Sequence, residues 1–272
     1  MDITDKTLGL KNQYWKSLVI TAAGLLLFAW LLNTPAGLLG KADAIGYAVC
    51  HRIDLRSFHL GERQLPLCAR CSGMYLGAVL SLGYQAVIGR RKTGTPPWGV
   101  LFILGSLLIA FAVDGLNSYL SLFPGAPSLY HPNNTLRLLT GTGMGVVIAV
   151  ALYPAFNLSV WKETDARPAI GGVRVLGVLL ILALLLDAMV LTENPLVLYP
   201  LALVSAFGVM VLLTMVYSML WLMVFKLEGR YNRIEQLILP LVGGFAIGLV
   251  QIGILDLVRY FLTGTWEGFH LG

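Results

Sequence analysis

Residues 50–73 read CHRIDLRSFHLGERQLPLCARCSG, and within these 24 residues lie all three cysteines of the chain, two of its four histidines and four arginines. Cys68 and Cys71 form a C-x2-C pair, the spacing that lets two thiolates share one tetrahedral metal ion. Cys50 offers a third sulfur, and His51 or His59 could complete a Cys3His set. The same atoms admit a second chemistry, since a C-x2-C pair at a helix start facing an oxidising compartment can cycle between dithiol and disulfide. Such redox proteins in membranes normally relay electrons through a second cysteine pair, whereas here one cysteine is left over. That odd number favours metal. The plainest alternative is a structural disulfide with one free thiol.

Arg70 sits between the paired cysteines, so whatever fixes them fixes it. Arg56 and Arg63 are expected among lipid headgroups or in solvent. Further along the chain, charges interrupt strongly apolar runs at Asp114, Arg137, Asp187, Asp256 and Arg259. Charges inside a membrane are costly and point to function or to pairing. Asp114 and Arg137 are expected to pair with each other, with Asn134 between Arg137 and solvent. Asp256 and Arg259 share one helical face at i,i+3 and are expected to pair as well. Arg70 together with Arg137 would make a clamp for phosphate or carboxylate.

The elements that must position these residues are membrane helices. Hydrophobic residues make up 57% of the 272 and charged residues 12%, and the mean hydropathy is +0.77, which excludes an ordinary soluble domain. The apolar runs do not alternate in polarity, which excludes a barrel. Seven spans are expected, near 17–36, 73–89, 98–116, 135–155, 170–191, 197–225 and 236–262, each long enough for about 20 helical residues. The first resembles a signal peptide in having lysines before an apolar core, but the core is long and no small-residue cleavage site follows, so it is read as a span. The sequence thus predicts an all-α, polytopic protein of the cell membrane, with a four-helix core over 1–155 that includes an outer loop at 37–72, and three further helices over 156–272.

Lys and Arg set the orientation. Twelve of them cluster before span one, after span two, around the 4–5 connection and in the 6–7 connection, all on one side. Segments 117–134, 192–196 and 263–272 hold none. The N-terminus is therefore expected in the cytoplasm, and the C-terminus outside with the cysteine loop. The net charge of +5 comes mostly from the inner clusters and does not point to nucleic acid. Asp114, 16 residues past Trp98, falls roughly 24 Å across the membrane, and the other intramembrane charges fall at the same outer depth. Glycines in GMYLG (73, 77), GTGMG (141, 143, 145) and GFAIG (244, 248) mark faces of close helix packing. GTGMG lies mid-span without a preceding strand and is no nucleotide loop.

At the cysteine loop the sequence resembles the predicted membrane proteins of domain-of-unknown-function family 2085, from bacteria and archaea. The resemblance rests on Cys50-His51, Arg56-Ser57-Phe58, the run Leu65 to Cys71, then Gly73, Tyr75 and Gly77. It continues through Asp114-Gly115 and through Asn134, Arg137, Thr140 and Gly141, covering about residues 45–150. His59 is outside the family pattern, so the resemblance implies His51 as the fourth ligand. The last three helices would then be an added C-terminal portion.

These readings converge on a membrane-embedded enzyme acting at the outer leaflet on an anionic, lipid-linked or phosphorylated substrate. Cys50, His51, Cys68 and Cys71 would hold zinc, with iron as the other candidate. Arg70 and Asn134 would bind substrate, and Asp114 and Arg137 would carry the chemistry, Asp114 as general base or by orienting Arg137. The alternatives are a thiol–disulfide or quinone-linked redox protein, and a non-catalytic subunit or transporter within a membrane complex.

Overall fold

The computed structural model describes residues 3–123, 125 and 127–267, with side chains from residue 14 onward. Two of the lysines expected before span one, Lys6 and Lys11, and the C-terminal Gly272, expected outside, lie beyond the described side chains. Among the described residues eight helices dominate: α1 (Ile3–Asn33), α2 (Gly37–Val49), α3 (Ala69–Ile88), α4 (Trp98–Leu120), α5 (Asn134–Val160), α6 (Val173–Leu191), α7 (Pro195–Val224) and α8 (Ile238–Thr263). All but α2 are long and apolar enough to cross a bilayer. The seven expected spans are present, and the protein is an all-α polytopic membrane protein.

The region 37–72 is only partly a loop. Its first third is α2, whose buried face (Ala42, Ala44, Tyr47) packs on α7 and α8. A stretch of 13 residues is too short to span the membrane and was masked in the sequence by its polar flanks. The remainder holds a single 3-10 turn (Asp54–Arg56) and a two-stranded antiparallel ribbon, β1 (His59–Leu60) with β2 (Arg63–Gln64).

Helices α3, α5 and α7 are the most buried spans and α1 the least. In lipid, helices associate through close van der Waals fit, because the solvent is as apolar as the side chains. The α3–α5 contact shows the means. A Cβ built on Gly141 would stand 2.1 Å from the Arg70 carbonyl oxygen, and one on Gly145 would stand 2.1 Å from that of Met74. Only glycine lets the two backbones touch there. GFAIG acts likewise between α8 and α7, where a Cβ on Gly244 would stand 2.4 Å from the Ser218 hydroxyl.

At one end of the bundle the basic connections are stitched together. Strand β3 (Lys92–Gly94) pairs in parallel with β4 (Asp165–Pro168), Trp161 bridges to Tyr231, and the Arg91 guanidinium lies 4.3 Å from the Trp161 ring centre. There the exposed Asp165 carboxyl is held down at about 2 by its hydrogen bonds from Arg167. The cysteine loop, residues 127–133 and Thr263–Trp266 gather at the opposite end. Tyr47 Oη lies 2.8 Å from Thr263 Oγ1 and donates to the Thr265 carbonyl at 2.7 Å.

Candidate functional site

Cys68 caps the N-terminus of α3 in an extended conformation (φ −65°, ψ 162°), which places Cys71 in the first turn. Cys50 closes the C-terminus of α2. The two helix ends are held together by close approach, since a Cβ on Gly46 would lie 1.9 Å from the Pro66 carbonyl oxygen. The three sulfurs therefore converge, all within 4.8 Å of one another, and no two of them are bridged. Beneath them, Leu67, Val209, Met210, Leu249 and Ile252 form a buried apolar floor, so α7 and α8 complete the setting.

The trio suits a metal. Zn–S bonds near 2.3 Å in a tetrahedron place sulfurs about 3.8 Å apart, so only a small contraction is required. The backbone N–H groups of Arg52 and Cys68 donate to Cys50 Sγ at 3.5 and 3.4 Å, as thiolate sulfur favours. Hydrogen bonds from the Cys68 and Cys71 thiols hold the Cys50 thiol well below its usual value. The Cys68 thiol is pushed up to about 12, chiefly by that bond to Cys50 and further by burial. Three sulfurs so gathered in a buried setting are the donor set that a soft cation takes. His51 Nδ1 lies 3.5 Å from Cys50 Sγ, beside the trio rather than within it. His59 is turned away, with Nε2 2.9 Å from Asp54 Oδ1.

One turn from the sulfurs the charges pair differently from the sequence expectation. Asp114 pairs with Arg70 and not with Arg137. Its Oδ2 accepts from Arg70 Nη2 and, at 3.2 Å, from Arg70 Nε. Arg70 Nη2 also donates to Ser118 Oγ at 2.9 Å. Tyr130 Oη donates to Asp114 Oδ1 at 2.7 Å and Thr140 Oγ1 to Oδ2 at 3.3 Å. Tyr130 is pushed up to about 12 by burial and by its bond to Asp114. The reason for the exchange of partners is register: Gly141 draws the Arg70 backbone onto α5, which aims its side chain along α4 toward Asp114.

Arg137 instead donates from Nη1 to Asn134 Oδ1 at 2.9 Å, and its Nε is buried without a partner among the described residues. Asn134 Nδ2 in turn donates to the Ser57 carbonyl at 3.2 Å, tying α5 to the loop. Arg56, expected among headgroups, turns inward and donates to the Ser118 carbonyl at 2.9 Å. Arg52 and Arg63 both pair with Asp43 of α2. Asp187 accepts from Thr142 Oγ1 at 2.6 Å inside the bundle, apart from the cluster.

The expected Asp256–Arg259 pair is not formed through hydrogen bonds. Both Asp256 carboxylate oxygens are buried without a hydrogen-bond partner among the described residues. Arg259 donates to the carbonyls of Tyr47 and Cys50, each at 2.5 Å, and of His51 at 3.2 Å. It thus clasps the chain that carries the first sulfur. Tyr130, Ser118, Arg56 and Arg259 were missed as members of the site. Arg56 carried a signal in the family resemblance, Arg259 as a charge in an apolar run, and Ser118 by lying i+4 from Asp114 on one face of α4, whereas Tyr130 carried none.

The family described as "Predicted membrane protein (DUF2085)" matches residues 50–151. An uncharacterised protein of Methanothermobacter thermautotrophicus is 32% identical over 102 residues, a match covering 38% of this chain and 82% of that relative. The chain belongs to the DUF2085 family. A second archaeal relative, an uncharacterised protein of Methanocaldococcus jannaschii, is 27% identical over 120 residues, covering 44% of this chain and 71% of its own length. No solved structure matches. The DUF2085 match begins at Cys50 and ends within α5, so it contains the three sulfurs and the Arg70–Asp114 pair. Apart from Leu67, the apolar floor beneath the sulfurs comes from α7 and α8, beyond the DUF2085 segment.

Proposed function

We propose that this protein is a membrane-embedded enzyme of the outer face, in which a cysteine-held zinc ion organises a site for an anionic or lipid-linked substrate. The observation that carries the reading is the convergence of three sulfurs from two separate helix ends, in a chain with no other cysteine. Cys50, Cys68 and Cys71 would hold the metal, and His51, already against Cys50, would supply the fourth ligand. Iron fits the same donors. A four-ligand closed centre is structural, so the bound ion would crosslink α2 to α3 and stiffen the loop above the bundle.

The remaining work belongs to the protein's own groups. Arg70 is held on Asp114, whose carboxylate takes bonds from Arg70, Tyr130 and Thr140 and is 1% exposed. So enclosed, Asp114 acts as a positioning residue that orients Arg70 rather than as an open general base. Arg137, steadied by Asn134, is the group that meets substrate charge.

Metal analysis of the full chain, purified in a neutral detergent, tests the reading. One zinc per chain is expected, falling below about a tenth in Cys68→Ser. A chain without stoichiometric metal, whose cysteines cycle with a measurable potential, would overturn it in favour of the redox alternative.

A further inference from the structure

The arginine cluster at the cysteine end is out of balance. Among the described residues, Asp114 is the carboxylate paired within it, and Arg70 engages it. Arg56 and Arg137 have no carboxylate partner among the described residues. The nearest acid in sequence to Arg56, Asp54, faces His59 instead. Arg137 is 6% exposed, with an unpartnered Nε. Burial, and after it the charge of Arg70, pushes the Arg56 guanidinium below its usual value. A buried and a half-buried positive group without a paired carboxylate are costly unless an anion completes them.

There is room for that anion. A cavity of about 480 Å³ is lined by Arg56 and Arg137 together with Ile53, Leu55, Leu122 and Pro132. Arginine's planar fork suits oxyanions with several acceptor oxygens. Arg137 lies in the first turn of α5, whose positive end adds to the same field. The apolar part of the wall continues into exposed Leu55 and Leu122 at the level of the helix ends.

We infer that this cavity is a phosphoryl-binding site, in which Arg56 and Arg137 grip the phosphate of a phosphomonoester or phosphodiester. The inference deepens the proposed function by naming the charged group of its substrate, and it gives Arg56 a role in binding. The phosphate is either that of a lipid headgroup, whose chains run over Leu55 and Leu122, or that of a soluble phosphate reaching the cavity from water.

Full-length protein in maltoside detergent, which carries no phosphate, provides the test. Inorganic phosphate, dioctanoyl phosphatidic acid below its micellar concentration and dioctanoylglycerol would each be titrated while thermal unfolding and calorimetric heat are followed. Saturable binding of phosphatidic acid at least tenfold tighter than inorganic phosphate, with none for dioctanoylglycerol, supports the site with a lipid source. Comparable binding of both phosphates supports it with a soluble source. Arg56→Gln and Arg137→Gln should each weaken binding at least tenfold while retaining metal stoichiometry and a monodisperse profile. Should Arg137→Gln fail to fold, Arg56→Gln carries the test, since Arg56 is only half-buried. Absence of phosphate binding by the parent chain, or unchanged affinity in Arg56→Gln, overturns the inference. Metal measured on the same samples separates the two readings: metal without phosphate binding refutes only this site, and phosphate binding without metal refutes only the metal centre.

Discussion

Asp114 and Arg70 should be strongly coupled, and Asp114 and Arg137 only weakly, through space. Asp114→Asn leaves the half-buried Arg70 guanidinium facing a neutral amide, and breaking a buried ion pair from one side costs about 3–5 kcal/mol. The Arg70 side chain is 20% exposed, so water relieves part of this and the lower bound of about 3 kcal/mol applies. At about 2–4 °C per kcal/mol, the midpoint of thermal unfolding should fall by about 6–12 °C. A double-mutant cycle with Arg70→Gln should give a coupling of about 2–3 kcal/mol, the upper part of the range of about 0.5–3 kcal/mol for side chains in direct contact. The parallel cycle with Arg137→Gln should give no more than about 0.5 kcal/mol, because Arg137 bonds to Asn134 instead. Unfolding can be followed by intrinsic fluorescence in detergent, with metal content held constant across the four proteins of each cycle. An Asp114–Arg137 coupling as large as the Asp114–Arg70 coupling would refute the pairing and restore the partner suggested by helix depth alone.

Impermeant maleimide applied to intact cells should label a cysteine at Glu193→Cys and spare one at Lys92→Cys, in a background lacking the native cysteines; the reverse pattern would invert the orientation drawn from the basic clusters. Gly141→Ala should destabilise the bundle by about 1–3 kcal/mol through overpacking against Arg70. Gly105→Ala, with nothing within 4 Å of its new Cβ, should be nearly neutral, and equal effects at the two sites would discredit the α3–α5 contact. Arg259→Gln should weaken metal retention about 10–100-fold against a competing chelator, as loss of outer support around ligands does. Asp256→Asn should leave retention unchanged, and a similar loss in both would mean that the two act as the pair expected from their spacing.

Composition and hydropathy by themselves determined the solvent, the number of spans and their order, because about 20 apolar residues have few other destinations. The distribution of lysine and arginine set the expected orientation. Residue type and spacing singled out the cysteines, since only three exist and all fall in one segment. Asp114, Arg137 and Asn134 stood out because charge and amide groups are expensive at that depth.

Which of these groups meet was decided by the tertiary structure, which replaces the expected Asp114–Arg137 pair with Asp114–Arg70. Helix depth is a one-dimensional coordinate, and it placed Asp114, Arg137 and Arg70 at one level without their rotation or neighbours. The glycines of α5 settle that rotation by pulling α3 into backbone contact, which gives Asp114 to Arg70 and leaves Arg137 to Asn134. Helix α2 escaped notice because a short helix packed on α7 and α8 owes its position to long-range contacts and not to its own hydropathy. Arg259 is the sharpest case: i,i+3 spacing offered it Asp256, yet the fold brings the carbonyls of Tyr47, Cys50 and His51 within its reach. Those acceptors lie more than 200 residues away in the chain, and no local pattern carries such a contact.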